Sequence, residues 1–432
     1  MAHRSCDVVV IGSGPGGYVA AIRAAQLGLH TICVEKEALG GVCLNWGCIP
    51  SKALIHAAGF YEKARTHAGT MGVVIQSARM DVAKMQEWKA SIVKRLTTNV
   101  GVLIRGAKGE TMMGTARVTS PRTVEVTAAD GTVTTLTVAR AIVVATGATP
   151  ISIPSLPVDG DVVSTAKEAV SLTSAPETMV IVGGGVIGME LGMVYQKLGT
   201  KVIVVEMTEQ LLGRTDLDLV KVVERRFVEA GGEVHYETTA TGVVVEDGRA
   251  TLTIAAADGR TSALVADKVV VAVGFRPNGR GLGLEEIGVQ LDARGHVRVD
   301  ERMATNVDGV YAIGDVSGPP YLAHKATKEA EICAEGIAGH RATKDYRAMP
   351  SAIFTDPEIA TVGMSERECA AQGRRVKIGK FPFSASGRAM AVMRRTASSR
   401  ASSTPRRTRC SASASSAPRP ASSSARRRSR SR

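Results

Sequence analysis

Aromatic residues are scarce in this 432-residue chain, at 3%. Its cores must therefore be filled by Val, Ile, Leu and Ala, with 45 glycines available for tight turns and close backbone approaches. No apolar run approaches the roughly 20 residues of a membrane helix, so a spanning segment is not expected. The first apolar run, residues 8–11, is too short for the core of a secretory signal. Seven cysteines in a chain this long do not make a disulfide scaffold, which points to the cytoplasm. Acidic residues are missing altogether from residues 393–432, which hold 12 Arg, 13 Ser and 7 Ala and no Leu, Ile, Val or aromatic residue. The formal charge of +13 belongs to that tail, because the rest of the chain carries 42 basic and 41 acidic residues. A balanced body argues against a dedicated nucleic-acid binder. The tail cannot bury enough apolar surface to offset its ordering entropy and reads as disordered.

What is present follows an α/β pattern, with a length that suggests about three domains. Residues 7–11 read as a buried strand, the run Gly12-Ser13-Gly14-Pro15-Gly16-Gly17 as a turn, residues 18–28 as an Ala-rich helix and residues 31–35 as a second strand. The arrangement recurs 171 residues later, so that Gly12, Gly14, Gly17 and Glu35 map onto Gly183, Gly185, Gly188 and Glu206 without a change of spacing. Residues 83–105 read as an amphipathic helix, and residues 123–138 as a hairpin turning at Asp130-Gly131. Residues 141–145, 243–254 and 263–273 read as further strands, and an apolar strand opens a new segment at Pro350.

One G-x-G-x-x-G is weak support for nucleotide binding, but two copies, each between a strand and a helix and each with an acid on the next strand, are strong. The first glycine makes the turn, the second admits a pyrophosphate to the backbone, and the third lets helix and strand close up. The helix N-terminus then holds the phosphates. Glu35 and Glu206 are expected to accept hydrogen bonds from ribose hydroxyls. An acid at Glu206 repels a 2′-phosphate and favours NAD over NADP. The second signal is Cys43 and Cys48, five residues apart. On an ideal helix they lie about 140° apart, so pairing them needs a distorted turn, which Gly47 permits. A close pair in such a chain reads as redox-active, against two unrelated core thiols or half a metal site.

The string Gly41-Val42-Cys43-Leu44-Asn45-Trp46-Gly47-Cys48-Ile49-Pro50-Ser51-Lys52 resembles the redox-disulfide signature of the flavin-dependent pyridine nucleotide-disulfide oxidoreductases, and its Ile-Pro-Ser-Lys ending is most like the dihydrolipoamide dehydrogenase branch. Thr305 with residues 309–315, Ala145-Thr146-Gly147, residues 322–326 and residues 351–360 resemble further motifs of that family, so the likeness covers residues 5–391. It implies a glutathione reductase-like fold: an FAD-binding domain over 1–149 and 275–345, an NAD-binding domain over 150–274, and an incomplete α+β dimerisation domain over 346–392. It implies FAD contacts from Gly12, Gly14, Gly17, Glu35, Lys36, Gly41, Val42, Lys52, Ala116, Thr146, Gly147, Asp315 and Ala323. NAD contacts are implied for Gly183, Gly185, Val186, Ile187, Gly188, Glu206, Ala240 and Gly274. Cys48 becomes the flavin-facing sulfur, Cys43 the sulfur that exchanges with substrate, and Lys52 a partner of Glu190 near the reactive flavin nitrogen. The implied activity carries electrons from a dihydrolipoyl dithiol, borne by an acyltransferase or carrier protein, through the disulfide and FAD to NAD. A homodimer is implied as well.

One departure is plain. The resemblance calls for a His–Glu base near the C-terminus, supplied by the partner subunit, yet the last of the eight histidines is His340. Impaired turnover is therefore expected, and a catalytically dead FAD-binding remnant is the alternative from another class. The tail's composition fits a change of reading frame in a GC-rich gene; its rival is a basic tail binding RNA or acidic partners without sequence preference. Mercuric reductase is a further alternative, but calls for extra cysteines where only Cys410 stands. Glutathione reductase calls for a base at Glu206, and a soluble transhydrogenase lacks the disulfide.

Overall fold

The computed structural model describes residues 2–391, 398–404 and 407–416. These fall into two compact units, the first formed by residues 1–213 and 228–347, the second by residues 214–227 and 348 onward.

The first unit is built on a seven-stranded sheet running Glu110–Met113, Thr31–Glu35, Ala2–Ile11, Val133–Val144, Thr123–Thr127, Thr115–Ser120, with Val310–Ala312 also on Val133–Val144. Ala2–Ile11 is parallel to both of its neighbours, with Val8 opposite Thr31 and Ala141. Such strands are covered on both faces, and their side chains alternate between them. Val8, Val10, Cys33 and Val143 face a core shared with Ala20, Ala21, Ala24, Ile104 and Cys333. Val9, Ile11, Ile32, Val34 and Ile142 face a core shared with Val118, Val124 and Leu136. The segments 123–138 and 141–145, expected as a hairpin and a separate strand, are joined, because Val133–Val144 is one strand that exchanges partners midway. Its first half pairs antiparallel with Thr123–Thr127, and its last residues pair parallel with Val310–Ala312. Helix Pro15–Gln26 starts with proline at its first turn and presents small residues. They are needed, since a Cβ at Gly16 would lie 3.3 Å from the Ala326 side chain on helix Ala323–Ile337.

The second copy of the motif builds a parallel five-stranded sheet in the order Glu233–His235, Lys201–Val205, Thr178–Val182, Lys268–Val271, Val163–Thr165. Residues 243–254 divide between two strands of an antiparallel three-stranded sheet, Thr238–Glu246 and Arg249–Ala256, and Thr261–Ala266 completes it. Residues 263–273, expected as one strand, are split at Asp267 into Thr261–Ala266 and Lys268–Val271, which belong to different sheets. The helix expected over 83–105 spans Val82–Gly106, and Asp81 caps it by accepting from the Lys84 amide. Among the described residues no helix is long and apolar enough to cross a membrane.

The second unit holds an antiparallel sheet in the order Ser351–Ile353, Ile359–Gly363, Arg407–Ser416, Ser398–Thr404, Lys377–Pro382. A capping box between Ser365 and Glu368 starts helix Glu366–Ala371. The tail expected to be disordered thus contributes two strands. Sheet pairing is made by backbone N–H and C=O groups, so a segment without large apolar residues can still extend a sheet. The rest of that expectation, residues 393–397, 405–406 and 417–432, lies outside the described residues.

Candidate redox and nucleotide-binding site

The two glycine turns have the same construction. Gly12 and Gly183 adopt φ of +99° and +106°, and a Cβ on them would meet the Ala145 and Ala272 carbonyl oxygens at 2.5 and 2.6 Å. A Cβ at Gly17 or Gly188 would fall 1.8 or 2.2 Å from the Gly12 or Gly183 carbonyl oxygen. These four glycines are demanded by the fold itself. The middle ones are not: nothing lies within 4 Å of a Cβ at Gly185, and only the Gly41 Cα, at 4.0 Å, approaches one at Gly14.

The acids on the following strands match too. Glu35 is buried and accepts from the Ser13 amide and hydroxyl at 2.9 and 2.7 Å on one oxygen, and from the Glu37 amide at 2.9 Å on the other. Glu206, equally buried, accepts from the Gly184 amide at 2.7 Å and, on its other oxygen, from the Thr208 amide and hydroxyl at 2.8 and 2.7 Å. Each carboxylate ties its turn to its strand and keeps lone pairs for further donors. Val186 is exposed and Ile187 half-buried at the start of helix Val186–Lys197. Ala240 is buried in Thr238–Glu246, and Gly274 is exposed with φ of +117°. Lys36 is exposed beside Glu37.

The cysteine pair sits where one helix ends and the next begins. Helix Gly41–Asn45 stops at Trp46, and Gly47, with φ −108° and ψ −114°, precedes helix Cys48–Thr66. The amides of Trp46 and Gly47 both donate to the Val42 carbonyl, at 3.1 and 2.7 Å. A Cβ at Gly47 would crowd that carbonyl at 2.9 Å, which explains the glycine. The break swings the two side chains together, so Cys43 and Cys48 face each other as free thiols in hydrogen-bond contact. The shared hydrogen bond drives their acidities apart: it raises Cys43, with burial adding, and lowers Cys48, with Lys52 adding. Negative charge is thus favoured at Cys48 over Cys43. Cys48 also stands first in a 19-residue helix, where the dipole favours an anion. The pair adjoins the first glycine turn, because a Cβ at Gly41 would lie 2.6 Å from the Gly14 Cα, and the Gly40 amide donates to the Ser13 carbonyl at 3.0 Å.

Lys52, one turn along the same helix, stands 2.8 Å from the buried Glu190 on helix Val186–Lys197. This ion pair links the cysteine helix to the helix of the second glycine turn. Asp315 lies in the short helix Gly314–Ser317, and burial, more than the nearby Glu329, pushes its carboxyl up to about 6 against the pull of Lys325. The loop around it is stapled to helix Ala323–Ile337 by two residues for which no role is expected from their types alone. Lys325 donates to the carbonyls of Gly314 and Gly318 at 2.9 and 2.7 Å and pairs with Glu329 at 3.1 Å, and Glu329 accepts from the Gly314 amide at 2.8 Å. Both are almost fully buried. Asn278 was missed as well. Its side-chain amide donates to the Thr146 carbonyl at 2.9 Å, and its backbone accepts from the Thr146 hydroxyl and donates to Gly147. An Asn inside an ordinary Pro-Asn-Gly turn signal carries no mark of that task. Ala116 is buried in Thr115–Ser120, and Ala323 begins its helix half-buried.

Two phosphate-admitting turns, an acid behind each, and a dithiol against one of them form a single constellation. The comparisons with known proteins agree with it. Residues 6–330 match the family described as pyridine nucleotide-disulphide oxidoreductase, and residues 349–399 match its dimerisation domain. The chain belongs to the pyridine nucleotide-disulphide oxidoreductase family. It is 44% identical over 386 residues to the dihydrolipoyl dehydrogenase of Geobacillus stearothermophilus, covering 89% of this chain and 81% of that one. It is 42% identical over 388 residues to the human mitochondrial dihydrolipoyl dehydrogenase, covering 89% and 76%. Among solved structures it resembles LpdA from Mycobacterium tuberculosis, with a TM-score of 0.87 at 25% identity over 97% of this chain and 90% of that one. The fold is therefore the α/β fold of this oxidoreductase family, and FAD and NAD are the cofactors of its dihydrolipoyl dehydrogenases. The residues fit both groups: the open positions at Gly14 and Gly185 are cradles that a Cβ would fill, and each is backed by a helix start and an acid.

Proposed function

We propose that this chain is an NAD-linked dihydrolipoyl dehydrogenase whose dithiol centre is Cys43 and Cys48. One observation carries the reading: the two thiols are in hydrogen-bond contact at the start of helix Cys48–Thr66, one turn before the Lys52–Glu190 pair and against the Gly12–Gly17 turn. Bound FAD would supply the two-electron acceptor between the dithiol and NAD. The chain's own residues do the rest. Gly12, Gly14, Gly17, Glu35, Lys36, Gly41, Val42, Ala116, Thr146, Gly147, Asp315 and Ala323 hold the flavin nucleotide. Gly183, Gly185, Val186, Ile187, Gly188, Glu206, Ala240 and Gly274 hold NAD. Cys43, whose acidity the hydrogen bond to Cys48 weakens, exchanges with the substrate dithiol. Lys52, fixed by Glu190, keeps positive charge beside Cys48 and favours its thiolate.

The FAD-binding domain comprises 1–149 and 275–345, the NAD-binding domain 150–274, and the dimerisation domain begins at 346. The dithiol is borne by an acyltransferase or carrier protein, and the working form is a cytoplasmic homodimer; the dimerisation-domain match and the four buried free thiols Cys6, Cys33, Cys333 and Cys369 support this. The test is to mix the oxidised, FAD-loaded protein with dihydrolipoamide and count alkylatable thiols by mass spectrometry, with and without NAD. Thiols appearing at Cys43 and Cys48, followed by NADH, are the expected result. Thiols without NADH mark an intact dithiol centre that does not pass its electrons on to NAD. A disulfide that dihydrolipoamide leaves untouched overturns the reading.

A further inference from the structure

The cysteine turn contains one large residue to which no role has been given. Trp46 stands at the helix break with φ −147° and ψ 9°. Its indole lies nearly parallel to the Phe275 ring, with planes 13° apart and centroids 6.2 Å apart. Both residues are half-buried. Phe275 opens the strand Phe275–Pro277, which pairs with Ala148–Pro150. That strand runs into Asn278, the residue locked to Thr146 and Gly147. The turn between the sulfurs is therefore braced from outside its own helices by a ring on a fixed strand. The backbone bonds to Val42 hold the turn's shape, while the stack holds its place.

We propose that Trp46 is a positioning residue whose stack on Phe275 sets the equilibrium between the Cys43–Cys48 dithiol and its disulfide. The inference rests on the redox reading of that pair. Closing the bond brings the sulfurs from thiol contact to about 2.05 Å. Residues 44–47 are the only chain between the two cysteines, so their freedom sets the effective concentration of one sulfur at the other. A braced turn keeps that concentration high and favours the disulfide. A loosened turn gives the dithiol freedom that oxidation must remove, and so favours the dithiol.

The experiment equilibrates the FAD-loaded full chain, without NAD, in buffers of varied reduced-to-oxidised dithiothreitol. Reduction breaks the Cys43–Cys48 bond with two electrons and two protons from one dithiothreitol, which closes to its cyclic disulfide. Alkylation and peptide mass spectrometry then report the fraction of each form. In Trp46→Ala the midpoint is expected to move about three- to tenfold toward the dithiol, or about 15–30 mV for a two-electron couple. Phe275→Ala gives the same shift, the double variant gives no more than either, and Trp46→Phe restores the parent midpoint. Should Trp46→Ala fail to fold, Phe275→Ala carries the same expectation. Parent-like midpoints in the folded alanine variants overturn the proposal, however much they lower the unfolding temperature. A parent chain that forms no Cys43–Cys48 disulfide at any ratio overturns the redox reading as well.

Discussion

Replacing Asp315 by Asn should make the flavin-free protein more stable, and increasingly so as pH rises. Burial is the first cause of its displaced acidity, which moves from 3.8 to about 6. A raised carboxyl means that the folded state binds the proton more tightly than the unfolded state does. The stabilisation from this group is then present at low pH and is lost as pH climbs from about 4 through about 6. Two units at about 1.4 kcal/mol each place the cost of the buried charge near 3 kcal/mol above pH 7, as an upper bound. At pH 5 the same linkage gives about 1.5 kcal/mol. Asn has the shape of the neutral acid and escapes the cost at every pH. Urea unfolding of both proteins between pH 5 and pH 8 measures the difference directly. A difference that is flat with pH, or a destabilised variant, refutes the claim that burial governs this carboxyl. The same substitution should weaken FAD binding about tenfold or more in the proposed role, since a charged acceptor is lost. The protein then keeps a locally unfavourable charge for the sake of its cofactor.

The glycines offer a sharper contrast. Gly17→Ala should cost about 3 kcal/mol or more in urea unfolding, because its Cβ would meet the Gly12 carbonyl oxygen at 1.8 Å. Gly185→Ala should leave stability nearly unchanged, with nothing within 4 Å of its Cβ, yet should weaken NADH binding measured by fluorescence titration. Lys52→Met should raise the pH at which Cys48 becomes thiolate, read from iodoacetamide alkylation rate against pH, since Lys52 is one of the groups that lower it; an unmoved profile refutes that role. Lys325→Met leaves the nearly inaccessible Glu329 unpaired and should cost about 3–5 kcal/mol in chemical denaturation.

Much of this molecule was legible in its one-dimensional order. The duplicated strand–turn–helix units, their glycines and the acids at Glu35 and Glu206 depend on local backbone geometry and short-range spacing, which residue types encode directly. The need for a distorted turn between Cys43 and Cys48 followed from helix geometry alone, and Gly47 marked where it falls. Other features arise only when distant segments meet. The joining of residues 133–138 and 141–144 into one strand depends on which partners flank each half. The grip of Lys325 and Glu329 on the backbone of the Asp315 loop, and that of Asn278 on Thr146, are made across separate elements. The same holds for Trp46 on Phe275, 229 positions apart in the chain. The two strands in a tail rich in Ser and Arg were hidden for a related reason: their pairing is made by backbone groups that every residue carries. Residue chemistry announced where phosphates and electrons can go, while long-range packing decided how the reacting groups are held and charged.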